Sequence, residues 1–267
     1  MNQKLENLIN LLSKKNLDYD EFIQKAADIE ELSSLIDVSD LNMWKLLGLD
    51  IKKNGSNEVE LGTRKKNISD QVFCIVDIET SGGINSGQII EIGAIKAKDG
   101  VEIARFETLV HAQSIPENIS ALTGIEVSDL KDAPSLASAL EKFRLFLADS
   151  VFVAHNVKFD YGFINASFEK AGFATMLNRK ICTIDLARRT ISSPKYGLGT
   201  LKEVLGINGT HHRAMSDTIA AFEIFKAALK NTPSAVRYTQ DLIEFSKTAN
   251  TVKKPSVTHQ TTINFEE

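Results

Sequence analysis

Two carboxylates stand one residue apart at the end of an apolar run, in the stretch QVFCIVDIET at residues 71–80. The run is rich in Val, Ile and Phe, which predicts a buried strand. Residues two apart in a strand project to the same face, so Asp77 and Glu79 are expected to point at one spot. Because two buried like charges repel, the pair predicts a bound cation.

Two further acidic residues lie in apolar surroundings later in the chain. Asp160 interrupts the hydrophobic face of AHNVKFDYGFI at 154–164, and Asp217 falls early in an apolar helix, with His212 five residues before it. Taken singly, these three are more often capping, solvent-facing or loop residues than ligands. Together with the first pair they give hard oxygen ligands, one histidine and no cysteine cluster. That combination selects Mg²⁺ or Mn²⁺ over zinc.

Three motifs, VDIETSG, AHNVKFD and HHRAMSD, resemble in residue type, order and spacing those of the DEDDh 3′–5′ exonucleases. The resemblance covers about 70–230 and is closest to the epsilon proofreading subunits of bacterial DNA polymerase III. It implies the ribonuclease H-like fold, an α/β architecture in which a mixed β-sheet is flanked by helices and carries the acidic residues at one edge.

The same resemblance implies roles for individual residues. Four carboxylates would hold two Mg²⁺ or Mn²⁺ ions and take part in catalysis: Asp77, Glu79, Asp160 and Asp217. His212 would be the general base, since the motif spacing selects it over its neighbour His211. Substrate contacts are implied for five residues: Thr80, Leu122, Thr123, Asn156 and Phe159. For Phe159, plain core packing is an equally good interpretation.

Composition limits the remaining classes of protein. The chain has 267 residues, a formal net charge of -4 and two cysteines, Cys74 and Cys182, each inside an apolar run. Nucleic-acid binding therefore has to come from a local site or bound metal rather than a global basic field. The cysteines are expected to be buried and unpaired. With no signal-peptide pattern and no apolar stretch approaching ~18 residues, a cytoplasmic location is the expectation.

Hydrophobic periodicity divides the chain into three parts. Residues 1–66 are predicted to be a helical N-terminal extension of unknown role, with one short strand at 58–61, and 70–232 an exonuclease domain. Residues 233–267 are predicted to form a C-terminal helix at 234–247 and a flexible tail from 246 onward. Within the central part an antiparallel meander is expected at 71–78, 88–97 and 101–110, and a further strand at 151–154. Helices are expected at 134–148, 158–172, 200–205 and 214–230.

The leading functional interpretation is a metal-dependent exonuclease that removes nucleoside 5′-monophosphates from single-stranded or frayed DNA 3′ ends, as the proofreader of a replicative DNA polymerase. An RNA-trimming exoribonuclease on the same fold and a non-catalytic replisome scaffold remain alternatives. A polymerase catalytic subunit is the expected partner. In the terminal QTTINFEE, the residues Gln260, Ile263 and Phe265 resemble sliding-clamp peptides, although a plain disordered end is the more frequent reason for such a pattern.

Overall fold

The computed structural model describes residues 3–208 and 212–252. Its N-terminal part begins with helix α1 (Gln3–Lys14), the two-residue strand β1 (Leu17–Asp18) and helices α2 (Tyr19–Ala27), α3 (Glu30–Ser33) and α4 (Leu41–Leu46). Strands β2 (Ile51–Lys53) and β3 (Glu58–Leu61) follow and form an antiparallel sheet in the order β1-β3-β2. The expected strand at 58–61 is present, but the extension is not purely helical, because β1 and β2 pair with it.

A second, five-stranded sheet forms the centre of the molecule. Its strands are β4 (Val72–Thr80), β5 (Ile89–Lys98), β6 (Val101–Leu109), β7 (Val151–Ala154) and β8 (Lys180–Cys182), in the order β6-β5-β4-β7-β8. The first three strands make the predicted antiparallel meander, whereas β7 and β8 add in parallel. The mixed α/β fold with a helix-flanked sheet is therefore confirmed.

Eight helices accompany this sheet in the described residues. They are α5 (Glu117–Thr123), α6 (Val127–Leu130), α7 (Leu136–Leu147), α8 (Val157–Lys170), α9 (Thr183–Thr190), α10 (Leu198–Leu205), α11 (Ala214–Lys230) and α12 (Thr239–Thr248). No helix in the described part of the chain is both long and apolar enough to cross a membrane.

Strand β4 is apolar on both faces because helices cover both sides of the sheet. Phe73 and Ile75 belong to one buried cluster, shared with α9, α11 and α12. Cys74 and Val76 belong to another, shared with α7 and α8. Both cysteines are unpaired; Cys74 is buried as expected and Cys182 is partly buried. The two-sided burial explains why the sequence of β4 does not alternate.

The N-terminal part packs directly on the central domain. Its core, built around Phe22 and Trp44, includes Leu177 from the segment before β8. The Leu177 N–H donates to the Leu47 carbonyl at 2.7 Å. Thr63, in a short 3₁₀ turn after β3, donates its hydroxyl to the side chain of Gln240 in α12 at 3.0 Å.

The C-terminal helix begins and ends later than predicted. We expected it at 234–247 and flexible chain from 246 onward, whereas α12 runs to Thr248. Beyond it, the Val252 N–H donates to the Arg188 carbonyl at 2.9 Å, so residues up to 252 are held against α9. The remainder of the predicted flexible tail, with the clamp-like residues Gln260, Ile263 and Phe265, lies outside the described residues.

Candidate active site

The first two carboxylates lie at the carboxyl end of β4. Asp77 pairs with Gly93 and Glu79 with Glu91 on β5, and the register shifts between Glu79 and Thr80. Strand alternation places Asp77 and Glu79 on the same face as Phe73 and Ile75, the face that α11 covers. Both side chains are partly buried.

Parallel pairing of β7 with β4 accounts for the position of Asp160. Because Ile75 pairs with Val153, β7 ends beside the carboxyl half of β4, and α8 begins three residues later. Asp160 in its first turn is only 3% exposed. Backbone hydrogen bonding at Asp160 and at Ile78, the residue between the two strand carboxylates, acts to lower the pKa of this carboxyl.

Helix α11 brings the fourth carboxylate. It crosses β5 at Gly93, whose carbonyl accepts a hydrogen bond from the Thr218 hydroxyl at 3.0 Å. A Cβ atom at Gly93 would lie 2.6 Å from the backbone of Ala214, so only glycine permits this approach. One carboxylate oxygen each from Asp77, Glu79 and Asp217 lies within 4.8 Å of the others. The fold therefore brings all four predicted acids to one end of β4.

The clustering changes the acidity of these groups. Burial first, and then the charges of Asp160 and Glu79, raise the pKa of Asp77 well above its ordinary value. Burial and the charge of Asp217 raise the pKa of Glu79 to about 7. Burial raises the pKa of Asp160 to about 8, although its two backbone hydrogen bonds oppose this. These carboxylates therefore bind protons at pH values at which ordinary carboxylates are ionised. Bound divalent cations would neutralise the same negative charge in place of the protons.

The donor set fits a hard divalent cation. Carboxylate oxygens are the ligands that Mg²⁺ and Mn²⁺ prefer, and here two from β4 and one from α11 lie close enough together to bind one ion. Asp160 is not one of the three mutually close ligands, but it lies within electrostatic range of Asp77 and Glu79.

His212 lies two residues before α11, with a backbone φ of 62°, in the left-handed region that non-glycine residues rarely adopt. Its N–H donates to Oδ2 of Asp217 at 3.1 Å, and its side chain is exposed. The structure thereby ties the backbone of His212 to one of the four carboxylates, and its imidazole is open to solvent. Its neighbour His211 is outside the described residues.

The predicted substrate residues fall into two groups. Leu122 on α5 and Phe159 on α8 are 51% and 45% exposed, although both are large and apolar. Phe159 is therefore not core packing, although its ring contacts Phe163, with centroids 5.8 Å apart. Asn156, also exposed, has φ 77° and accepts the Phe159 N–H at its carbonyl, which shapes the first turn of α8.

The two threonines make internal hydrogen bonds. Thr80 donates its hydroxyl to the Gly82 carbonyl at 3.0 Å, just after β4. Thr123 is buried, donates to the Ile119 carbonyl at 2.9 Å and accepts the Ile125 N–H, so its hydroxyl holds the end of α5. Neither the threonines nor the exposed apolar pair belongs to the carboxylate cluster.

One ion pair beside the site was not predicted. Glu91 on β5 is 1% exposed and accepts three hydrogen bonds from the Arg213 guanidinium, the shortest being 2.7 Å, and one from the Ala214 N–H. It raises the pKa of Asp77 and Glu79, whereas Arg213 lowers that of Glu79. The pair fixes the turn that carries His212. A lone Glu among isoleucines in QIIEIGA was the available signal, of the same kind as that for Asp77.

Comparison with known proteins shows in which protein family this arrangement of residues occurs. Residues 74–225, more than half of the chain, match the family RNase_T, described as Exonuclease. Among curated proteins, the DNA polymerase III PolC-type of Staphylococcus haemolyticus is 35% identical over 204 residues, 74% of this chain and 14% of that protein. The PolC-type polymerase of Staphylococcus epidermidis is 38% identical over 165 residues, 60% of this chain and 11% of that protein. The chain thus spans a small part of these relatives.

Solved structures with the same fold include Escherichia coli exonuclease I in complex with a dT13 oligonucleotide. The TM-score is 0.55 at 18% identity, covering 62% of this chain and 42% of that one. An apo structure of exonuclease I gives the same TM-score and identity, over 66% of this chain and 44% of that one. At this identity the likeness concerns the fold of the central domain.

Proposed function

The chain belongs to the RNase_T exonuclease family, and we propose that it is a two-metal 3′–5′ exonuclease that releases nucleoside 5′-monophosphates from DNA 3′ ends. The observation that carries the proposal is the convergence of Asp77, Glu79 and Asp217, with Asp160 beside them, from three separated segments. Buried carboxylates arranged in this way are costly unless they bind cations.

Asp77, Glu79, Asp160 and Asp217 are the residues that would hold two Mg²⁺ or Mn²⁺ ions. When bound, such ions lower the pKa of an attacking water and stabilise the charge that develops on the departing 3′-oxygen. The protein's part is to hold these carboxylates in fixed positions, where bound ions would keep them ionised. Because the pKa values of Glu79 and Asp160 are about 7 and about 8, ion binding displaces protons and strengthens as the pH rises through this range.

His212 is the proposed general base. A neutral imidazole can accept a proton from the attacking water near neutral pH. Its backbone hydrogen bond to Asp217 keeps it next to a proposed ion ligand, and its exposure leaves the ring accessible to water. The ion pair with Glu91 holds Arg213, the residue after His212, in place, and this limits the movement of His212.

Exposed apolar side chains support a single-stranded or frayed substrate. Phe159 immediately precedes Asp160 and offers a ring face to solvent, and aromatic faces of this kind stack on bases. Leu122 is a second exposed apolar side chain, proposed to contact the last bases. Thr80 and Thr123 are proposed to act by shaping the loops on which such contacts depend, since their hydroxyls bond within the protein.

The direct test is digestion of a 3′-mismatched DNA primer by the purified chain with Mg²⁺. We expect nucleoside 5′-monophosphates from wild type and a loss of at least about 10³-fold for Asp217→Asn, as for removal of a group on which two-metal chemistry depends. Asp132→Asn, which removes an exposed carboxylate distant from the site in the chain, is the matched control. Equal turnover by wild type and Asp217→Asn would reject the enzyme in favour of a scaffold.

A competition between matched DNA and RNA oligonucleotides addresses the sugar. DNA is favoured in our proposal because the curated relatives are DNA polymerases of the PolC type. Faster release of ribonucleotides would replace it by the RNA-trimming alternative.

The same relatives support a role as a proofreading unit that works with a polymerase catalytic subunit. The likeness to epsilon subunits in particular stays a prediction. So does clamp binding through Gln260, Ile263 and Phe265. Removing residues 259–267 is expected to weaken binding to a sliding clamp in pull-down and to leave the exonuclease rate unchanged; undiminished pull-down would end that idea.

A further inference from the structure

A cluster of cationic side chains lies apart from the carboxylates, in a cavity of about 200 Å³ between α1 and the central domain. Six of the residues that line it matter here: Arg179, Lys180, Lys247, Glu6, Asn10 and Tyr161. Arg179 and Lys180 come from β8 and the residue before it, and Lys247 from the last turn of α12. None of the predicted site residues lines this cavity.

The side chains of Arg179, Lys180 and Lys247 make only weak contacts with other described residues. The Lys180 ammonium lies 4.2 Å from the centroid of the Tyr161 ring. Arg179 reaches Gln240 only through a long 3.4 Å hydrogen bond, and its Nε is buried with no hydrogen-bond partner. Within residues 3–208 and 212–252, no carboxylate oxygen is within 4.0 Å of the charged nitrogens of Arg179, Lys180 or Lys247.

These cations also repel one another. Burial, and then the neighbouring cations, lower the pKa of Lys180 and of Lys247. Two acids oppose the effect at longer range, Glu6 for Lys180 and Glu244 for Lys247 and Arg179. Three cations against one lining carboxylate leave a positive cavity, in which Arg179 and Lys180 are partly buried and Lys247 is exposed. Partly buried like charges are costly without a counter-ion.

We propose that this cavity binds a small phosphate-bearing anion, either free phosphate or the phosphate group of a nucleoside monophosphate. The Arg179 guanidinium, two ammonium groups and the Asn10 amide offer donors to several oxygens of one dianion. The volume is several times the approximately 30 Å³ that a water occupies, which admits a phosphate group. The site joins α1, β8 and α12, so a bound anion would brace the N-terminal part against the central domain.

Thermal unfolding of the full chain in EDTA, at constant ionic strength, tests the site without metal at the carboxylates. Replacing KCl by potassium phosphate should raise the melting temperature by about 5–10 °C at a concentration about 100 times Kd. Equilibrium dialysis with labelled phosphate should find one site per chain. Parallel titrations with orthophosphate and with thymidine monophosphate identify the source, and a response to either one supports the site.

The double variant Lys180→Met/Lys247→Met keeps the apolar stems and removes two charges. We expect it to lose the phosphate response and, in phosphate-free low-salt buffer, to melt at or above the wild-type temperature, because repulsion is relieved. A merely structural role for the lysines predicts a lower temperature instead. Lys131→Met/Lys142→Met, with exposed lysines, is the matched control and should respond as wild type does.

Asp217→Asn should also keep the phosphate response, so failure of the proposed nuclease and failure of this site give different results. No rise in melting temperature beyond that in KCl, together with no phosphate bound in dialysis, would overturn the proposal. An equal rise in wild type and in the Lys180/Lys247 double variant would overturn it as well.

Discussion

Asp160 gives the sharpest test of the carboxylate cluster, through the pH dependence of stability in the absence of metal. Its pKa is about 8 in the folded chain against an ordinary 3.8, and burial is the main cause. Between these two values the folded state holds one proton more than the unfolded state at this residue. The stabilisation from that proton is complete below the ordinary pKa and is lost as the pH rises through the folded pKa.

The expected magnitude follows from one proton. It corresponds to about 1.4 kcal/mol of unfolding free energy for each pH unit, or about 2.7 kcal/mol between pH 5 and pH 7. Asp160→Asn removes this proton, so the wild type should lose about that much more stability than the variant over the interval.

Urea unfolding in metal-free buffer with EDTA, at pH 5, 6 and 7, measures both slopes. Asp132→Asn should keep the wild-type slope. Parallel lines for wild type and Asp160→Asn would refute the claim that Asp160 is held protonated by burial in this cluster. Added Mg²⁺ should flatten the wild-type slope, because ion binding displaces the protons.

Three further outcomes are expected. Glu91→Gln should destabilise the fold by about 2–3 kcal/mol in urea unfolding, less than for a fully buried pair because Arg213 is 46% exposed. In steady-state kinetics it should lower kcat about tenfold or more with little change in KM. A change in KM alone would contradict the positioning role. Gly93→Ala should cost about 1–3 kcal/mol, because its Cβ would meet the backbone of Ala214; an unchanged urea midpoint would contradict the close approach. Phe159→Ala should raise KM for single-stranded DNA about tenfold and change stability by less than about 1 kcal/mol, because nearly half of the residue is already exposed. An unchanged KM would exclude base stacking there.

The parts of the fold that could be predicted are those with a strong local pattern. The strands at 58–61 and 151–154 and the helix at 214–230 have the predicted bounds. A turn-rich stretch precedes the alternating EVEL of the first, and apolar residues define the other two. Strand β8 was missed, since three residues, Lys180–Cys182, give no periodicity and its pairing with β7 is parallel and distant. Strands β1 and β2 were missed because two and three residues likewise give no periodicity.

The site divides in a similar way. The convergence of Asp77, Glu79, Asp160 and Asp217 was foreseeable because charged residues in apolar runs need a shared explanation. The Glu91–Arg213 pair joins residues 122 positions apart, and no spacing rule links them. The cationic cavity likewise depends on three segments whose proximity only the packing of α1, β8 and α12 creates.

The junction between the first 66 residues and the rest has a practical consequence. Besides the contacts of Leu177 and Thr63, the Lys66 carbonyl accepts the Thr239 N–H at 2.9 Å, and Asn67 forms a β-bridge with Tyr238. Residues 70–232 are therefore not expected to be stable as an isolated domain, because such a fragment would expose Leu177 to solvent and would lack helix α12. A fusion of this domain to another protein has to include both flanking segments. Deleting either segment should lower solubility even though no proposed catalytic residue is removed.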